Sequence, residues 1–130
     1  MGKLDRKLKR NWKVWNLAYK YEDEWFLERA RETIKRMPNP WERSEMGRPP
    51  KHSAKGLFLA CVYKVKKRLS YRGLESELIS NEGLPRKLLL EGPVSKSTLQ
   101  EAMARITGGY ADAFLARLND ALKKRPTSRR

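Results

Sequence analysis

Apolar residues recur every three or four positions along most of this chain, and that spacing commits it to helix. Leu4, Leu8, Trp12, Trp15 and Tyr19 keep the period in the first stretch; Phe26, Ala30, Thr33 or Ile34, and Met37 continue it. No glycine or proline interrupts Lys3 to Met37, so the block reads as one long helix or as two with a bend near Tyr21. Glu22, Asp23 and Glu24 stand where the second half would begin, and acidic side chains favour a helix N-terminus. Pro38 and Pro40 end the block, and four prolines with Gly47 rule out regular structure from Pro38 to Lys51.

Beyond that linker the helical period returns. Ser53 is placed to cap a helix over Ala54–Lys67, with Leu57, Phe58, Cys61, Val62, Val65 and Leu69 as its buried stripe. Lys64, Lys67 and Arg68 fall outside the stripe. A second helix starts at Ser70, with Leu69 and Leu74 at the hydrophobic-staple positions, and ends at Asn81 and Gly83. A short segment, Leu84 to Leu90, leads to a Gly92-Pro93 turn. The next helix runs to Ile106; Ser97 and Gln100 fit a capping box, with Ser95 as a rival cap, and Gly108-Gly109 stops it. A last helix, about Tyr110 to Lys124, carries Tyr110, Phe114, Leu118, Ala121 and Leu122 on one face. Val62-Tyr63-Lys64-Val65 is the best strand candidate, and the period around it argues for helix. The expected fold is all-α: a long N-terminal helix or helix pair, then a compact helix-turn-helix-like multi-helix domain. The expected divisions are a helical block over 1–37, a Pro-rich basic linker over 38–52, a helical domain over 53–124 and a basic tail over 125–130.

With 130 residues, 39% hydrophobic, the chain has the means to bury one real core. Its longest apolar run, Leu57 to Tyr63, is far below the roughly 20 residues that a bilayer span needs. The basic start (Lys3, Arg6, Lys7, Lys9, Arg10) is followed by no apolar region, so it does not read as a signal peptide. Cys61 and His52 are the single cysteine and the single histidine, which excludes an internal disulfide, a cysteine-based zinc site and the usual triads. Asp5, Asp23, Asp112 and Asp120 are scattered, where a Mg²⁺-dependent nuclease or transferase needs gathered carboxylates. No phosphate-binding glycine loop is present. A binding protein is expected, with no catalytic or metal-ligating residues and no cofactor, in the cytoplasm and associated with the nucleoid.

Charge then names the partner class. Thirty Lys and Arg face fifteen Asp and Glu, a net +15 that calls for an anionic partner. Charged residues at 35% are also a composition that thermophilic proteins carry. In the helix after Pro93, Leu99, Met103 and Ile106 would face the core, leaving Lys96, Ser97, Gln100, Glu101 and Arg105 on other faces. Lysine can meet guanine edges or phosphate, and glutamine can pair with adenine. The helix N-terminus itself attracts phosphate. An ordinary surface helix with a good cap would show the same pattern. Gly47-Arg48-Pro49 is narrow enough to enter a minor groove, with Lys51 adding attraction to phosphate. The N-terminal Lys/Arg cluster, the basic tail, and Lys64, Lys66, Lys67, Arg68 and Arg72 are further candidates for phosphate contact. Trp12, Trp15, Trp25 and Trp41 could stack on bases, but three of the four sit in helical blocks, which favours the core.

The runs Gly47-Arg48-Pro49-Pro50-Lys51-His52-Ser53, Leu57-Phe58-Leu59-Ala60, Leu69-Ser70-Tyr71-Arg72-Gly73-Leu74-Glu75 and Pro93-Val94-Ser95-Lys96-Ser97-Thr98-Leu99 resemble a known family. It is the N-terminal DNA-binding domain of prokaryotic, archaeal-type insertion-sequence transposases of the DDE class. The likeness covers about residues 47 to 120. It implies a module that binds double-stranded DNA, without the strand-rich catalytic domain that follows in the family. Two other readings stay open: a basic RNA- or ribosome-associated protein, and an interaction protein that forms a homodimer through its N-terminal helices.

Overall fold

The computed structural model describes Trp15, Tyr19, residues 21–41 and residues 52–123. Helix α1 spans Asp23–Lys35, α2 Ala54–Lys67, α3 Tyr71–Ser80, α4 Leu84–Lys87, α5 Lys96–Arg105 and α6 Gly108–Lys123. There is no strand among the described residues, and Val62 to Val65 lie inside α2. The fold is all-α, several helices packed together.

The chain bends at Tyr21, and α1 starts directly after it. Its N-cap residue Glu22 makes no side-chain cap bond; Asp23 and Glu24 in the first turn face the positive end of the helix instead. The buried face is Trp25, Phe26, Leu27, Ala30, Thr33 and Ile34. The Ser53 hydroxyl accepts the Gly56 N–H at 3.0 Å and starts α2. Arg68 closes that helix in the left-handed conformation, φ 58°. The turn is held by the Leu69 N–H donating to the Lys64 carbonyl at 2.9 Å. Ser70 caps α3 through the Gly73 N–H at 2.9 Å.

The structure decides one boundary between two readings and moves another. Ser95, not Ser97, caps α5: its hydroxyl accepts the Thr98 N–H at 3.3 Å. Val94 is buried, and the helix starts two residues earlier than a Ser97 cap would start it. Gly108 and Gly109 do not stop α5 but open α6, because Thr107 accepts the Tyr110 N–H through its hydroxyl at 3.2 Å. Ile106, fully buried and extended at φ −69°, ψ 125°, makes the break between the helices.

Helix α2 is the axis of the molecule. It is buried almost all round from Phe58 to Lys66, a wider surface than its predicted stripe. Helices α1 and α5 both pack against it, α1 also packs on α6, and α5 also packs on α3. One continuous core joins Phe26 and Ile34 of α1 to Phe58 of α2, Met103 of α5 and Phe114 of α6. Phe58 meets Phe114 edge-on, ring centroids 4.8 Å apart, and Tyr110 likewise at 5.2 Å. Residues 23–37 thus share a core with residues 54–123, so the apolar face of α1 is used within the chain. The expectation of a dimer through N-terminal helices therefore falls on the earlier part of that block, mostly outside the described residues.

Candidate nucleic-acid interface

Helix α5 owes its two-sidedness to its spacing. Leu99, Ala102 and Met103 are buried, as is Ile106 just past its end. Ser97, Gln100, Glu101, Ala104 and Arg105 are exposed, and Lys96 is half-buried. The exposed set holds donors and acceptors for base edges, with Glu101 able to accept from a cytosine amine. Arg105 lies 5.9 Å from the ring centroid of Trp41, which sets the direction of its guanidinium.

The N-terminus of α5 is already engaged. Glu75 of α3 accepts the Lys96 N–H at 3.2 Å, and Ser95 holds the Thr98 N–H. A phosphate arriving at this helix end competes with a carboxylate. Glu75 is a residue that periodicity could not single out, since its role depends on the α3–α5 crossing.

The second cluster sits where α2 turns into α3. Lys67, Arg68 and Arg72 are exposed there. Lys64 is not: it is 4% exposed, its ammonium 4.4 Å from the centroid of the Tyr71 ring. The breadth of α2's buried surface, rather than its apolar stripe, decides that position, so Lys64 is not displayed on the surface as its spacing predicts. Lys66 is also buried, and its ammonium and that of Lys67 donate to the two Asp23 oxygens at 2.9 and 2.7 Å. Burial by itself pushes the Asp23 carboxyl up, but hydrogen bonds from Lys67 and Lys66 outweigh it and hold the pKa below the usual value. The Asp23 hydrogen bond raises Lys67 in turn. Arg68 lies 4.4 Å from the centroid of the Tyr19 ring.

Arg48 and Lys51 lie outside the described residues. So does most of the charge. The described residues carry sixteen Lys and Arg against twelve Asp and Glu, a net +4, which leaves +11 of the +15 in the rest of the chain. A groove of about 400 Å³ between α1 and α6 adds Arg36 and Arg117 on another face, shared with Glu32 and Asp120. Among the described residues no group of His, Cys, Asp or Glu could hold a metal ion, and no helix is long and apolar enough to cross a membrane. Of the tryptophans, Trp15 and Trp25 are buried, Trp41 is half-buried and Trp12 is outside the described residues. His52 and Cys61 are buried as well, the Cys61 thiol against the Leu99 carbonyl at 4.0 Å.

Comparison with family models, with curated proteins and with solved structures gave no match.

Proposed function

We propose that this chain binds double-stranded DNA, with α5 entering the major groove and the cations at the α2–α3 turn and the chain ends contacting the backbone. The observation that carries the reading is the outward face of α5. It is polar and exposed at Ser97, Gln100, Glu101 and Arg105, while the opposite face is wholly buried. A short helix held so firmly by its inner side can present side chains to base edges in a fixed register. The residues that resemble transposase N-terminal modules support it from another side. Ser70-Tyr71-Arg72-Gly73-Leu74-Glu75 begins α3, and Ser95 to Leu99 begins α5. The net +15 supports the partner class.

The test is binding to a randomised duplex pool across a salt series, with structured RNA as competitor. Double-stranded DNA is expected to win. Q100A/R105A is expected to relax sequence preference by about tenfold, with little change in the salt slope, because base contacts carry selectivity and phosphate contacts carry the slope. Equal or better binding to structured RNA would replace this reading with the RNA-associated one.

A further inference from the structure

Lys66, Lys67 and Arg68 close α2, and two residues of the chain entering α1 engage all three cations. Asp23 takes both ammonium groups, one on each carboxylate oxygen, at 2.9 and 2.7 Å. Tyr19 takes the guanidinium on its ring face, 4.4 Å from the centroid, and its hydroxyl donates to the Val65 carbonyl at 3.5 Å. A carboxylate between two ammonium groups does what a phosphate would do there. An aromatic ring against a guanidinium does what a nucleobase would do. The Lys67 side chain keeps 34% of its surface exposed, so the corner is reachable from solvent even with its partners in place.

We propose that the Lys66–Lys67–Arg68 corner is a nucleic-acid backbone contact held in a masked state by Asp23 and Tyr19, and that phosphate gains it by displacing the Asp23 carboxylate. This rests on the nucleic-acid reading above and assigns a regulation to it. Exchanging one anion for another on Lys67 leaves that ion pair count unchanged. The mask therefore lowers affinity without abolishing it, and it couples binding to the seating of α1 on α2. Lys66 is the buried member of the pair and stays with the core; Lys67 and Arg68 are the cations that change partners.

The experiment is duplex-DNA anisotropy over a salt series with the full chain and the variants D23N, Y19L, E24Q, K67A and D23N/K67A, each checked for native helix content. Freed of its carboxylate, Lys67 is expected to steepen the log K against log salt slope by about 0.9 in D23N and to tighten binding several-fold at low salt. K67A is expected to be nearly silent alone and to cancel the gain in D23N/K67A. E24Q removes the same charge one residue away, where the partner is Lys87 of α4 at 3.4 Å, and is expected to give a smaller gain with no change in slope. If D23N unfolds, Y19L carries the test through Arg68, with the same direction expected. Equal effects of D23N and E24Q, or an unchanged slope in D23N and Y19L alike, would overturn the mask while leaving the DNA reading intact. Wild type binding measurably and D23N binding several-fold tighter with the steeper slope would support the mask; no duplex binding by any variant would remove both.

Discussion

The Tyr110 hydroxyl donates to the Pro38 carbonyl, tying the first turn of α6 to the chain just beyond α1. Burial is the main reason its pKa is pushed up to about 12, and Arg117 only partly opposes that. A raised pKa in the folded state means stability that is complete below the ordinary tyrosine value of 10.0 and lost as pH rises toward about 12. Burial raises Tyr63 as well, so spectrophotometric titration is expected to show late-ionising tyrosines, of which the Tyr110 step disappears in Y110F. The same variant is expected to lose about 1 kcal/mol at neutral pH, read by urea unfolding, since it leaves the Pro38 carbonyl without this donor. Lys64 and Lys67 show how far a residue's fate can depart from its type. They are three positions apart on one helix, yet one lies under the Tyr71 ring and the other holds a carboxylate at the surface. Nothing in the local sequence distinguishes them, because what differs is which neighbouring helix passes over each.

At the scale of the element, the clearest constraint is Gly56 in the first turn of α2. A Cβ there would stand 2.5 Å from the Leu89 carbonyl oxygen, a backbone atom that cannot rotate away. Alanine is the better helix former by about 1 kcal/mol, but here the clash reverses the sign. G56A is expected to destabilise by about 1–3 kcal/mol, measured by thermal or urea unfolding, where an ordinary helical glycine would gain. Leu89 itself sits at φ 61°, so the loop after α4 already holds a strained backbone at this contact. Capping gives a second element-level test. S95A is expected to cost about 1 kcal/mol, and S97A to be close to neutral, because Ser95 and not Ser97 is the serine whose hydroxyl holds a first-turn amide of α5. The reverse order would return the cap to the Ser97–Gln100 box. The residues carrying the transposase likeness include three caps, Ser53, Ser70 and Ser95, so the likeness reports in part how three helices start.

At the scale of the whole molecule, a modestly charged helical body, +4, carries most of the chain's net charge in segments outside the described residues. Under the proposed DNA-binding reading, base selection and backbone contact are then separable. Neutralising Lys124, Arg125, Arg129 and Arg130 is expected to lower the salt slope by up to about 3.6 while leaving sequence preference unchanged, the opposite of Q100A/R105A. A change in preference without a change in slope would refute that division. The helices, the Ser53 and Ser70 caps, and the inward face of α5 were legible from spacing alone, because period and capping are local properties of consecutive residues. The bend at Tyr21 was one of two readings of the first block, and the structure takes that one. What only tertiary structure decided was every property made by two distant segments meeting. It seated α1 on α6 and α2, buried Lys64, set Glu75 against the Lys96 amide and placed Asp23 between Lys66 and Lys67. Those contacts join residues that are 21 to 44 positions apart where they are bonded, beyond the reach of any helical period.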